Sequence, residues 1–159
     1  MMTALGPLAA WLQTTGMATA VGESTLLSGL LSGMHLIGLT LLVGGALVSM
    51  LRLLGLIFPD RPVSDITAAT DRGMMLGLAI SIATGFLLLA PRASQFIGNS
   101  SFQTKMLVLL SAGLFHFAVR RRVIRRSDAG PGALGLAGAC GFALWFGVAL
   151  AGCALILLE

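Results

Sequence analysis

Four apolar stretches, each about 20 residues or longer, follow one another along the chain, and only short polar segments separate them. A run of this length with few charges can cross the hydrocarbon core of a bilayer as an α-helix. The stretches occupy 24–58, 72–90, 101–124 and 132–158. They predict an all-α fold, an integral membrane four-helix bundle, within a single transmembrane domain spanning 1–159.

The composition excludes an ordinary soluble domain. Hydrophobic residues make up 57% of the chain and charged residues only 10%, whereas soluble domains carry about 25% charged residues. The formal net charge of +4 could suggest nucleic acid. The basic residues lie beside apolar segments, however, so we expect the lipid bilayer as the partner and no nucleic acid.

The N-terminal segment, 1–22, differs from the four spans. It contains Trp11 and no charged residue, and it is interrupted by Gly6-Pro7 and by Gly16. A secretory signal peptide has a positive first region and an unbroken apolar core, and both are missing. Because Leu residues recur at helical spacing, we expect an interfacial helix that lies on the membrane.

Proline, glycine and capping residues suggest where the spans begin and end. The first span should end before Pro59-Asp60, which makes it about 33 residues long and longer than a bilayer requires. The second should end at Pro91, and the third should begin at the Asn99-Ser100-Ser101 cluster. The fourth follows Gly130-Pro131-Gly132.

The arginines predict the orientation. Two of the connecting loops and their helix ends carry eight arginines, whereas the opposite side carries only Arg92 and Lys105. An excess of Lys and Arg marks the cytoplasmic side. We therefore expect a multi-pass protein of a bacterial inner membrane with both termini in the periplasm. The eight residues are Arg52, Arg61, Arg72, Arg120, Arg121, Arg122, Arg125 and Arg126.

Both histidines of the chain fall inside predicted spans, where ionisable residues are costly and usually functional. On the first span, His35 shares a helical face with Gly38, Gly45 and Arg52. Glycines beside a histidine would leave room for a flat porphyrin, although Gly38 and Gly45 could instead serve helix packing. Arg52 could likewise extend to the membrane interface.

The third span places Lys105 and His116 on one face. Haem iron takes one or two axial ligands and is often held in a helical bundle, whereas zinc needs three or four ligands. The pattern therefore favours haem b as cofactor, with His35 and His116 as the candidate iron ligands. Whether both histidines share one iron stays open, because their expected depths differ by about 15 Å. If they do not, Lys105 lies near the level of His35 and Met75 near that of His116.

The motifs Met34-His35-Leu36-Ile37-Gly38 and Leu51-Arg52-Leu53-Leu54-Gly55, with a later run from Asn99 to His116, carry a resemblance. The chain resembles a family of small bacterial four-helix membrane proteins of unknown function. More distantly it resembles the small haem-binding membrane protoporphyrinogen oxidases, copper-resistance membrane domains and b-type cytochrome subunits. This resemblance implies His35 and His116 as positions to test, with Arg52 and Lys105 as carboxylate partners. The family usually has an acid where this chain has Met50.

Three functions follow as expectations. The first is a b-type cytochrome subunit that transfers electrons between a quinone or periplasmic partner and another protein. The second is a haem-free accessory or anchor subunit of a larger membrane complex or homo-oligomer. The third is an enzyme resembling protoporphyrinogen oxidase. The sequence contains no readable nucleophile–base–acid set, so no catalytic residue is predicted and enzymatic activity stays undecided.

Overall fold

The computed structural model describes residues 2–125 and 130–157, with side chains described for 6–119, 130 and 132–151. Within these ranges the chain is helical and contains no strand. The α-helices are α1 Met2–Gln13, α2 Gly16–Glu23, α3 Thr25–Leu53, α4 Val63–Leu89, α5 Ala93–Gly98, α6 Ser100–Arg125 and α7 Pro131–Leu157, with a 3-10 turn at Ala90–Arg92.

The all-helical prediction is confirmed, but the predicted count of four helices is wrong. The 3-10 turn and α5 continue α4, so the described residues form six helical segments rather than four. The two additional segments, α1 and α2, come from the N-terminal region that we expected to be one interfacial helix. Four helices are long and apolar enough to cross a membrane: Thr25–Leu53, Val63–Gly98, Ser100–Val119 and Gly132–Ala151.

The first long helix ends earlier than Pro59 suggested. Gly55 adopts a φ of +76°, a conformation that glycine reaches without steric cost. The amide of Gly55 donates to the Arg52 carbonyl oxygen, and the amide of Leu56 donates to the Leu51 carbonyl oxygen. These two hydrogen bonds form a Schellman motif, which satisfies the last carbonyls of α3. A glycine therefore ends α3, and Pro59 lies in the loop that follows.

The second long helix is longer than predicted at both ends. It begins at Val63, after Pro62 in the N-cap position, so its first turns include residues whose polarity suggested a loop. At its other end, Pro91 does not stop the helix. The chain passes through Pro91 in the 3-10 turn, where proline occupies a first-turn position and its missing N–H is not needed.

The helices α3 and α4 pack backbone against backbone. A Cβ atom added to Gly77 would lie 2.6 Å from the Gly38 carbonyl oxygen and 2.7 Å from the Leu42 amide nitrogen. Such close approach of backbones is the usual role of small residues between membrane helices. Ser49 and Thr70 add a hydroxyl–hydroxyl hydrogen bond of 2.7 Å across the same interface.

The N-terminal helices α1 and α2 contact the end of the bundle at which α4 passes into α5. The Gln13 side chain donates to the Pro91 carbonyl at 3.1 Å and accepts a hydrogen bond from Ser94 at 2.7 Å. Gly22 also approaches Pro91, since a Cβ there would lie 3.3 Å from the proline ring. Both α1, through Gln13, and α2, through Gly22, are therefore attached to the turn between α4 and α5.

The first residues of α7 lie against the last residues of α3. A Cβ on Gly138 would lie 3.0 Å from Leu53 Cβ and 3.0 Å from the Leu54 amide nitrogen. The start of α7 and the end of α3 therefore lie at the same end of the bundle. The side chains of Arg120, Arg121, Arg122 and Arg125 and all of Arg126 lie outside the described residues.

Candidate functional site

Two adjoining cavities lie where α4 and α6 diverge. The first, of about 370 Å³, contains His35 and Lys105 and is called the His35 cavity below. The second, of about 470 Å³, contains Asp71, His116 and Trp145 and is called the His116 cavity. Five apolar side chains line both of them: Leu42, Leu78, Ile82, Met106 and Leu109. Together the cavities form one apolar groove with a histidine towards each end.

The hydrogen bonds around His35 define its tautomer. The Thr84 hydroxyl donates its single proton to the Ile80 carbonyl oxygen at 2.6 Å. The same oxygen lies 3.0 Å from His35 Nδ1, so it acts there as an acceptor. In its neutral form His35 therefore carries the proton on Nδ1 and keeps its lone pair on Nε2, as assigned from this network.

Gly85 allows the imidazole to lie directly against α4. A Cβ on Gly85 would lie 3.0 Å from His35 Cε1, 3.5 Å from Nδ1 and 4.0 Å from Nε2. The Nε2 atom is thus the ring nitrogen farther from this glycine. A histidine held through Nδ1–H, with Nε2 available, has the arrangement by which protein histidines commonly bind metals. Neither Thr84 nor Gly85 was among the predicted site residues.

Lys105 lines the His35 cavity from α6 and is half-buried. Among the described side chains, no aspartate or glutamate lies within salt-bridge distance of it. A half-buried ammonium without an acidic partner is electrostatically unfavourable. The His35 cavity therefore combines an imidazole lone pair, a cation and apolar walls.

The His116 cavity contains a pair of ionisable side chains that sequence reasoning did not identify. His116 Nε2 lies 3.7 Å from Asp71 Oδ1, and the two side chains are 5% and 14% exposed. Asp71 comes from α4 and His116 from α6, so the pair bridges the two diverging helices. The sequence prediction began the second span at 72 and so placed Asp71 in the preceding loop. Its position directly beside an apolar run was the signal that could have found it.

The glycines predicted to form a porphyrin surface lie elsewhere. Gly38 packs against Gly77, Ile80 and Ser81 of α4, where an added Cβ would lie 2.7 Å from the Ser81 hydroxyl. Gly45 packs against Met74, and an added Cβ would lie 2.6 Å from its Cγ. Both glycines therefore serve the α3–α4 contact, which was the alternative given above, and neither is among the residues that line the two cavities.

Arg52 also lies outside both cavities. Its Nε donates to the Arg61 carbonyl oxygen at 3.0 Å, and its Nη2 bonds the same oxygen and that of Pro59. The guanidinium thus holds the α3–α4 loop over the end of α3. This placement separates Arg52 from Lys105, the other residue predicted to bind carboxylates.

The two histidines line different cavities. His35 shares its cavity with Lys105, and His116 shares the other with Met75, Asp71 and Trp145. Among the residues that the structure describes, no three His, Cys, Asp or Glu side chains converge as a metal site. The arrangement offers one imidazole nitrogen at His35, and at the other end an imidazole already associated with a carboxylate.

The model of DUF6644, a family of unknown function, matches residues 11–157. The chain belongs to this family. No curated protein matches the chain, and no solved structure matches it. The predicted membership of a family of unknown function is thus confirmed, while no named relative supports the more distant resemblance to haem-binding families.

Proposed function

We propose that this DUF6644 member is a b-type haem-binding membrane subunit for electron transfer, with haem held at the His35 cavity. The supporting observation is the His35–Thr84–Ile80 hydrogen-bond chain, in which the tautomer with its proton on Nδ1 leaves the Nε2 lone pair for a metal.

The chemistry of the cavity fits haem b. Its iron takes an axial histidine, its ring is flat and apolar, and its propionates are anions. The cavity supplies the histidine, apolar walls, and Lys105, which has no acidic partner among the described side chains. Charge-assisted hydrogen bonds of this kind are strong in an apolar site. A bound haem would supply one-electron transfer.

The bilayer is part of the same proposal. Large apolar side chains cover the outside of the long helices, including Leu26 at 74% exposed and Leu107 at 66%. Lipid would cover these side chains, and the arginine-rich end would face the cytoplasm with both termini in the periplasm. Reporter fusions at Arg122 and Glu159 test this orientation, because a cytoplasmic report from Glu159 contradicts it.

The function as an enzyme resembling protoporphyrinogen oxidase has less support. That function required Arg52 and Lys105 to hold the carboxylates of one tetrapyrrole. Arg52 instead hydrogen-bonds the Pro59 and Arg61 carbonyls. The His116 cavity offers no other cation in place of Arg52, because neither Lys nor Arg is among the described residues that line that cavity.

An absorption spectrum of the detergent-purified protein from haem-replete cells tests the haem proposal. We expect a Soret band with reduced-state bands of a b-type haem, and we expect His35→Ala to abolish them. His116→Gln is the matched control and should retain the band, because this histidine lines the other cavity. Thr84→Val should retain haem but shift the spectrum or potential, since it removes the acceptor for Nδ1–H.

A colourless wild-type protein, purified alone and with its natural partners, contradicts the haem proposal. The chain would then be a haem-free accessory subunit, with His35 acting as a hydrogen-bonding residue between α3 and α4. Loss of the Soret band in His116→Gln but not in His35→Ala would move the iron to the other cavity and contradict the assignment of its ligand.

A further inference from the structure

The His116 cavity contains a buried hydrogen-bond donor for which the described residues provide no acceptor. Trp145 lines this cavity and is 2% exposed. Among the described residues, no atom accepts a hydrogen bond from its indole Nε1–H. A buried N–H of this kind is normally satisfied, because leaving it unpaired loses the hydrogen bond it made with water. The observation points to an acceptor oxygen on a bound molecule.

The Asp71–His116 pair lies in the same cavity and adds a second polar group. The two side chains come from α4 and α6 and approach to 3.7 Å, and the His116 ring meets the Trp145 ring edge-on at a centroid distance of 6.3 Å. Imidazole can donate or accept a hydrogen bond, depending on its proton. All three side chains therefore gather at one part of a cavity whose other walls are apolar.

The charges select among lipid-soluble molecules. Asp71 is an acid, and no Lys or Arg is among the described residues that line the His116 cavity. The head group of an anionic phospholipid or a fatty acid would meet a carboxylate and no cation. A neutral head with carbonyl oxygens avoids this repulsion and supplies the acceptor that Trp145 lacks.

The surroundings of the cavity indicate how an occupant enters. Its rim includes apolar side chains that are half-exposed or more, such as Met75 at 50%, Leu110 at 62% and Leu114 at 63%. In a membrane these side chains face the acyl chains, so an occupant would enter from the hydrocarbon. The rings of Trp145 and Phe117 supply flat apolar walls for a flat head.

We infer that the His116 cavity binds a lipophilic quinone, with a ring carbonyl accepting from Trp145 and the polar head beside the Asp71–His116 pair. The shared residues Leu42, Leu78, Ile82, Met106 and Leu109 line the part of the groove between this head and His35. Its role as the electron-exchanging partner rests on the proposed haem function, whereas binding of the quinone does not.

A single-tryptophan protein provides the first test. Trp11 is 63% exposed on α1 and is the only other tryptophan, so Trp11→Phe leaves Trp145 as the sole indole. Titration with a decyl-substituted 1,4-benzoquinone in detergent should quench this fluorescence saturably. The converse protein, Trp145→Phe with Trp11 retained, should show only the weak linear quenching of a quinone dissolved in the micelle.

Calorimetric titration with the same quinone tests the individual contacts. Trp145→Phe keeps an aromatic ring but removes the N–H, and the loss of one hydrogen bond should weaken binding about fivefold. Asp71→Asn should weaken it at least as much. Asp65→Asn, an exposed acid on the same helix, is the matched control and should leave binding unchanged.

A second variant keeps the test decisive if Asp71→Asn does not fold. Gly113 lines the cavity, and no atom lies within 4 Å of a Cβ added there. Gly113→Phe should therefore extend into the cavity and abolish quinone binding without unfolding the protein. Linear quenching that is equal for Trp11 and Trp145, or full binding to Gly113→Phe, would overturn the inference.

The two proposals can fail separately. Saturable quinone binding by a colourless protein would contradict the haem proposal and leave the quinone site in place. A Soret band that depends on His35, with no saturable quinone binding, would contradict the quinone site alone. A phospholipid that copurifies and is not displaced by the quinone would also overturn this inference.

Discussion

The helix α4 has two faces that pack in opposite ways. Towards α3 it makes backbone-to-backbone contact through Gly77 and Gly38. Towards α6 it diverges and leaves two cavities of about 370 and 470 Å³. Close packing provides most of the attraction between membrane helices, because lipid is as apolar as the helices themselves. The α3–α4 pair can therefore serve as the rigid support, while the α4–α6 groove remains open to a ligand.

The largest expected effect comes from breaking the close interface. Gly77→Ala would place a methyl group against the Gly38 carbonyl and the Leu42 amide, which are backbone atoms that cannot rotate away. We expect the free energy of unfolding to fall by roughly 2 to 3 kcal/mol, measured by denaturant titration in detergent and circular dichroism. Gly33→Ala is the control, because no atom lies within 4 Å of a Cβ there. Equal stability of the two variants would contradict the proposed role of this contact.

A smaller effect is expected from the polar contact across the same interface. Ser49→Ala removes the hydrogen bond to the Thr70 hydroxyl. Thr70 keeps its bond to the Ile66 carbonyl, so no buried donor is left unpaired. Hydrogen bonds between membrane helices contribute about 0.6 kcal/mol on average, and the unfolding free energy should fall by about that amount. A loss as large as that of Gly77→Ala would show that the polar contact, rather than the glycine, determines this interface.

The smallest effect is expected at the open interface. Gly113→Ala adds a methyl group that points towards the His116 cavity and meets no atom within 4 Å. Alanine also has the higher helix propensity. The unfolding free energy should therefore stay unchanged or rise slightly, by less than about 1 kcal/mol. A marked loss of stability in the same denaturant titration would mean that α4 and α6 close over this position.

Individual residues show where sequence reasoning succeeded. The apolar runs predicted four candidate spans, and the structure has four helices of sufficient length and hydropathy. The start of α6 at Ser100 agrees with the predicted cap, since the Asn99 side chain accepts hydrogen bonds from the amides of Ser101 and Phe102. These features depend on local chemistry, which neighbouring residues determine.

Other residues show where sequence reasoning failed. The end of α3 was assigned to Pro59 because proline is the stronger breaker, yet Gly55 ends the helix first by adopting a positive φ. Helical spacing placed Gly38 and Gly45 on the same face as His35 but could not tell which neighbour that face meets. Asp71 was placed in a loop because the second span was predicted to begin at 72, and its contact with His116, 45 residues away along the chain, could not be predicted.

The sequence alone determined that this protein is helical, that four of its helices are long and apolar enough to span a membrane, and that its two histidines lie within those helices. Hydrophobicity and helical periodicity are properties of consecutive residues, so they can be read directly. Only the tertiary structure decided that the two histidines line different cavities, that Thr84 orients His35, and that Asp71 approaches His116. Those relations depend on which helix faces meet, and that choice is made by the shape of side chains far apart in the chain.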